Sequence, residues 1–241
     1  MRVEIISKLL NKKKEKKVRR ENPNPILEWP VSVVSEDMGC DRGIPIDRYY
    51  IEKFLREARK YITGEVMEIG DNSYTRQFGR CINTSYVLTA DRGTLDCSRS
   101  KMVYGDLQTG EGCENNFLDC FILTQTLPFI YDVKSAAINI VKMLKPGGVA
   151  LITVSGISMI SQYDDSRWGH YWGFSETALY KIFSDISDVK DISVISMGNP
   201  KTATGFIYGL SMQDMKKEDL ESNDKLTPVT IGAIVTKKDT V

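Results

Sequence analysis

The chain is poor in the residues that hold metals or staple small folds. Its 241 residues include one histidine, His170, and five cysteines at 40, 81, 97, 113 and 120, with no Cys-x-x-Cys pair among them. An odd, scattered cysteine set beside a single imidazole speaks against a zinc site and against a disulfide framework, so no metal is expected. A chain of this length buries enough surface to do without staples. Cys120 lies in an apolar run and reads as a small core residue. A reducing cytoplasm is the natural compartment for such cysteine usage. No apolar run approaches the roughly 20 residues that span a bilayer. The apolar part of the N-terminus is too short for a secretory signal, and lysines follow it.

Formal net charge is zero, but it is unevenly placed. Residues 1–20 carry nine Lys/Arg against two Asp/Glu, leaving 23 against 30 in the remainder. An acidic body lacks the basic face of a nucleic-acid enzyme, and no nucleic-acid partner is expected. In the arm, Ile5, Ile6, Leu9 and Leu10 recur at helical spacing before seven basic residues. This fits a solvated terminus, or a weak membrane-surface helix drawn to anionic lipid at about 1 kcal/mol per basic residue. Asn22-Pro23-Asn24-Pro25 breaks any helix. The expected division is a basic arm and linker over 1–38 and one domain over 39–241.

Within the domain the apolar pattern alternates between periods. Tyr50, Ile51, Phe54, Leu55, Ala58, Tyr61 and Ile62 form a helical stripe that Asp47 can cap and Gly64 ends. Strands are predicted near 65–69, 86–90, 102–104, 119–124, 148–154, 192–197 and 229–236. Helices are predicted near 73–79, 134–144 and 175–185, with a helix plus loop between Met212 and Pro228. Alternating strands and helices imply an α/β, Rossmann-like, mostly parallel sheet covered on both faces.

Glu65-Val66-Met67-Glu68-Ile69-Gly70-Asp71 reads as a buried strand, an acid and a glycine turn. A dinucleotide fingerprint needs three glycines here so that backbone can approach a pyrophosphate. This turn has one, which favours a cofactor without phosphate. S-adenosylmethionine (SAM) is such a cofactor. Glu68 could offset its ammonium group, and Gly70 lets backbone come close. Asp91 follows Gly70 by 21 residues, the spacing of an acid that holds ribose hydroxyls. Asp106, in Gly105-Asp106-Leu107, can accept from an adenine amino group. Each acid taken alone is equally a turn or cap residue; three at successive strand ends point to a ligand.

Glu68-Ile69-Gly70, Asp91, Gly105-Asp106-Leu107, Asp119 through Gln125 and Leu144-Lys145-Pro146-Gly147-Gly148 resemble the motif series of class I SAM-dependent methyltransferases over roughly residues 40–236. The segments 42–50, 70–79 and Arg167-Trp168-Gly169-His170-Tyr171-Trp172 resemble a bacterial subgroup often found beside glycosyltransferases. The resemblance implies a seven-stranded sheet, six strands parallel and one antiparallel, with SAM over the carboxyl ends. It places Glu68 and Gly70 by the methionine part, Asp91 by the ribose, and Asp106 and Leu107 by the adenine, with Asp71 a further cofactor-binding candidate. Thr124 and Gln125 would face the methyl group. Asn72 and Tyr74 stand where many members have glycine.

Residues 155–174 lie between a predicted strand and helix and are dense in aromatic and ionisable groups. An insertion there would lie over the active end of the sheet. His170 is the side chain best tuned as a base near neutral pH, with Asp164 the next candidate. Tyr163, Arg167, Trp168, Tyr171 and Trp172 are the candidate substrate contacts, though each aromatic serves equally as packing. The expected function is O-methylation of a sugar, glycan or related small metabolite in polysaccharide biosynthesis. The alternatives are a methyltransferase on RNA or protein, or a non-catalytic partner protein with the same fold.

Overall fold

In a computed structural model, the described residues are 29–90 and 100–239. The chain divides into two units, Met1–Val33 and Val34–Val241. Of the first, residues 29–33 are described and are irregular. The basic arm and Asp91 lie outside the described residues. No helix among the described residues is long and apolar enough to cross a membrane.

The second unit alternates strands and helices. Helix α1 spans Ile46–Glu57, strand β1 Gly64–Ile69, α2 Ser73–Phe78, β2 Ile82–Thr89, β3 Lys101–Tyr104 and β4 Leu118–Thr124. Next come α3 Val133–Met143, β5 Leu144–Ser155, α4 Gln162–Trp168 and α5 Glu176–Ser184. The chain continues through β6 Val189–Met197, α6 Pro200–Ile207, α7 Lys217–Glu221 and β7 Thr230–Lys237. The seven strands order as β3-β2-β1-β4-β5-β7-β6. Pairing is parallel from β3 to β5, and β7 runs antiparallel to both β5 and β6. The order reverses between β1 and β4, where open α/β sheets bind ligands beyond their carboxyl ends.

Side-chain parity explains why both faces are covered. In β4, Phe121 and Leu123 join one core with Ala136, Ala137 and Ile140 of α3 and Leu179 and Phe183 of α5. Cys120 and Ile122, pointing the other way, join Ile46, Tyr50 and Phe54 of α1 and Phe206 of α6. A strand buried on both faces reads as an unbroken apolar run, as 118–124 does. Burial of Cys120 pushes its thiol well above the ordinary cysteine range, as suits an inert core residue.

The structure corrects some boundaries. Helix α1 starts at Ile46, and Asp47 does not cap it: Pro45 holds the cap position, while Asp47 accepts a hydrogen bond from its neighbour's amide, Arg48 N, at 2.8 Å. Strand β5 starts at Leu144, directly after α3, because Leu144 already pairs with Leu118 of β4; Lys145 Nζ also pairs with Asp119 of β4 at 2.7 Å. Gly148 sits in this run because a Cβ there would meet Leu118 O at 2.8 Å. Helix α6 escaped the apolar-pattern reading. Its start is an Asn199/Thr202 capping box followed by Pro200, which sequence alone makes look like a turn.

Candidate active site

Two cavities open at the carboxyl ends of the parallel strands. The larger, about 580 Å³, runs over Gly70, Thr89, Gly105–Gln108 and Thr124–Thr126. The smaller, about 250 Å³, lies between Thr124–Gln125, the start of α1 and the segment carrying Ser158, Ser161, Asp164 and His170. Thr124, Gln125, Phe129 and Asp164 line both.

The floor of the larger cavity is made of strand-end turns held by backbone. Gly70 N donates to Leu88 O at 3.1 Å, and Gly105 N to Thr89 O at 3.1 Å, so three strand ends are tied in one row. Gly70 has φ +78°, a left-handed conformation that favours glycine, and a Cβ there would meet nothing within 4 Å. Backbone is thus presented to open space. Asp106 Oδ1 accepts from Gln108 N at 2.7 Å, which fixes the turn after β3. Leu107 is buried beneath it, and its carbonyl accepts from Asn139 Nδ2 of α3 at 2.8 Å.

Gln125 is the hinge between the cavities. It follows β4 with φ +50°, uncommon for a residue with a Cβ, and its amide N donates to Thr153 O at 2.8 Å. Both polar atoms of its side-chain amide are buried and have no hydrogen-bond partner. A buried amide without partners costs about 1–3 kcal/mol per group, and strained backbone adds to that. Strained backbone and orphaned polar atoms thus coincide at the end of β4.

Two expected cofactor residues do not reach the cavity wall. Glu68 is 3% exposed and sits under the turn. Its carboxylate accepts from Tyr74 N at 3.1 Å and from Thr75 N, two of the donors that the start of α2 leaves open. Burial nonetheless raises its pKa. Glu68 shares parity with Val66, whose side chain joins the α1 face of the sheet. Asp71 accepts from Ser73 N at 2.7 Å and starts the same helix from the exposed side. Gly70, Asp106, Leu107, Thr124 and Gln125 all line the larger cavity.

The segment after β5 is partly helical. Helix α4 is capped by Ser161, whose hydroxyl accepts from Asp164 N at 3.3 Å and donates to Asp164 Oδ2 at 2.6 Å. Trp168 and Tyr171 form part of the larger cavity's wall. Trp172 braces that wall from outside, with Nε1 donating to Ile130 O at 3.1 Å and its ring beside Tyr131 at 6.1 Å. Tyr131 stacks edge-on to Tyr171 at 5.3 Å. Tyr163 and Arg167 satisfy each other at the exposed surface, the guanidinium 3.5 Å from the ring centroid; they line neither cavity.

His170 turns to the smaller cavity. Its ring meets Phe129 edge-on at 5.1 Å, and its Nδ1 is buried without a partner. Asp47, which sequence reasoning took for a cap, lines the same cavity. Burial pushes its carboxyl up to about 6, against the lowering influence of Arg48. Burial also pushes the Tyr74 hydroxyl on the same wall to about 12. The signal for this wall was the unusual 42–50 segment itself; nothing local shows that it shares a cavity with His170. Phe129 and Tyr131 were missed as well. Among the described residues no cluster of His, Cys, Asp and Glu could hold a metal ion.

No protein-family model matches the chain, and no curated protein sequence matches it. Solved structures do. The N-methyltransferase NodS from Bradyrhizobium japonicum WM9 superposes with a TM-score of 0.52 at 15% identity, over 83% of this chain and 99% of its own. The same protein in complex with S-adenosyl-L-homocysteine gives 0.53 at 15% identity, over 86% and 94%. A SAM-dependent methyltransferase from Archaeoglobus fulgidus gives 0.52 at 13% identity, over 79% and 94%. At such identities the likeness speaks to architecture: this chain has the class I methyltransferase fold, with its seven-stranded sheet and single antiparallel strand.

Proposed function

We propose that the protein is a SAM-dependent methyltransferase that methylates a hydroxyl of a sugar, glycan or related small metabolite. The observation that carries this reading is the junction at Thr124–Gln125, where a cofactor-sized cavity and a smaller polar one share a wall. The larger cavity falls within the usual range for small-molecule sites, about 300–1,000 Å³. Its residues fit SAM. Gly70 offers bare backbone and open space for the methionine part. Asp106 and Leu107 offer a carboxylate and an apolar bed for the adenine. The orphaned amide of Gln125 stands where the two cavities meet. When bound, SAM supplies a methyl on a positively charged sulfur, which leaves as a neutral thioether.

The chain's own part is positioning and exclusion of water. Trp168 and Tyr171 wall the larger cavity from above, braced through Tyr131 and Trp172. Holding two reactants in line supplies much of the acceleration of such a transfer. The acidic body supports a small polar acceptor over RNA, and the cysteine usage supports a cytoplasmic setting. The subgroup resemblance supports a place in polysaccharide biosynthesis.

Calorimetric titration with SAM tests the reading. Saturable binding is expected, and Asp106→Ala should weaken it by about 1–3 kcal/mol through loss of a charged acceptor. Wild-type protein that binds no SAM, or an Asp106→Ala variant of unchanged affinity, contradicts the assignment.

A further inference from the structure

We infer that the domain carries a docking surface for anionic lipid headgroups, formed by Arg56, Arg59, Lys60 and Arg80 at the end of the sheet opposite the cavities. The inference goes beyond the methyltransferase reading and stands apart from it. Arg56 lies in the last turn of α1, and Arg59 and Lys60 follow in a short 3₁₀ turn that leads toward β1. Arg80 stands just before β2. The two lead-ins are tied together: Arg80 N donates to Ile62 O at 3.0 Å, and Gly64 N to Cys81 O at 3.1 Å. Arg56 reaches from α1 to α2, its Cζ 5.9 Å from the Phe78 ring centroid. Lys60 Nζ stands 4.8 Å from the Tyr61 ring centroid. Four cations thus share one corner of the fold.

The protein does not neutralise this charge itself. All four side chains are exposed. Among the described residues none of them makes an ion pair. From Arg56 to Arg80 the exposed charges are these four and Arg76, against Glu57 and Asp71. Asp71 lies past the other end of β1 and holds Ser73 N, and Glu65 accepts from the Tyr86 hydroxyl. Glu57 is left as the exposed acid of the corner. The surroundings select the partner. None of the four lines either cavity. No large hydrophobic side chain is exposed between Arg56 and Arg80. A single-strand site stacks bases on exposed rings, and a protein interface centres on an apolar core; this surface offers neither. Fluid headgroups need neither. They gather around scattered cations, each worth roughly fivefold in partition.

The geometry keeps the candidate active site clear. Helix α1 has 12 residues and is about 18 Å long. Its first turn, with Asp47 and Arg48, walls the smaller cavity, while its last turn carries Arg56. Both cavities open at the carboxyl ends of the strands, whereas Arg59, Lys60 and Arg80 precede the amino ends of β1 and β2. A bilayer that meets the corner therefore gathers the protein at a surface without covering its cavities. Residues 1–20 carry charge of the same sign in the sequence. Firm attachment takes two signals, and the corner supplies one from within the folded domain.

The test sediments the full chain with vesicles of equal parts phosphatidylglycerol and phosphatidylcholine, and with pure phosphatidylcholine as control. Wild-type protein should bind the anionic vesicles about tenfold or more above the control at about 0.05 M NaCl. Most of that binding should go at about 0.3 M NaCl, where screening shortens to about 6 Å. With the arm intact, replacing all four cations by glutamine (R56Q/R59Q/K60Q/R80Q) should lower partition about tenfold or more at an unchanged melting midpoint. The charge-preserving R56K/R59K/R80K should stay within about threefold of wild type. Equal binding to both vesicle types, or a glutamine variant that binds like wild type, overturns the inference. Hydrogen exchange on wild-type protein needs no variant. Anionic vesicles should protect residues 56–62 and 78–81 and leave 124–126 unchanged. Protection confined to residues 1–20, or centred on Trp168 and Trp172, overturns the assigned surface. Binding to poly-uridine that is tighter and less salt-sensitive than binding to the vesicles overturns the choice of lipid.

Discussion

The two cavities are built from different materials. The larger is floored by turns that end β1, β2 and β3, and its geometry is set by backbone bonds such as Gly70 N to Leu88 O and Gly105 N to Thr89 O. The smaller is walled by side chains from α1, the end of β4 and the segment after β5, which lie far apart in sequence. A site made of backbone at strand ends tolerates change in most side chains, since the sheet itself holds it. A site made of side chains from separate loops can be refitted for a new ligand without disturbing the sheet. That division suits an enzyme with a fixed cofactor and a variable acceptor.

Glu68 offers the sharpest way to break this contrast. Its carboxylate serves the floor from below, accepting from two backbone amides at the start of α2. Glu68→Ala should therefore cost stability, about 2–3 kcal/mol by denaturant titration, because two buried donors lose their acceptor. Glu68→Gln, which keeps one acceptor oxygen, should cost less. SAM affinity of the folded variants should change little. A variant of undiminished stability that loses SAM affinity tenfold would return Glu68 to the ligand.

Asp47 offers a smaller effect of the opposite kind. Its carboxyl lies near 6 in the folded protein, against roughly 3.9 in an unfolded chain. The folded state then holds the proton more tightly. Its stability relative to an uncharged variant is greatest below about pH 4 and falls as pH rises from 4 to 6. Asp47→Asn should accordingly stabilise the protein at pH 8 by about 1 kcal/mol, discounted for partial exposure, and by almost nothing at pH 4. Paired melting curves check this.

The contrast also separates what sequence could tell from what it could not. Strands β1 and β4 were legible to within a residue, because burial on both faces writes itself as an apolar run ending in a turn. Gly70, Thr124 and Gln125 followed from those strand ends and Asp106 and Leu107 from that of β3, and all five line the larger cavity. Glu68 was read as facing a ligand, although parity with Val66 already turned it toward α1 and α2. Helix α4 was not legible: it has seven residues, none buried, and so no apolar stripe to read. Asp47 was legible as a polar cap candidate at a helix start. Gln125 and His170, which line the same cavity, are brought there by β4 and by the segment after β5, a juxtaposition that no local pattern encodes.

The most direct test of the central claim is a crystal structure of the protein with S-adenosylhomocysteine. The account predicts the ligand in the larger cavity, with its amino-acid part over Gly70, its adenine between Asp106 and Leu107, and its sulfur toward Thr124 and Gln125, leaving the smaller cavity free. Ligand density in the smaller cavity beside Asp47 and His170, or away from the strand ends altogether, would contradict it.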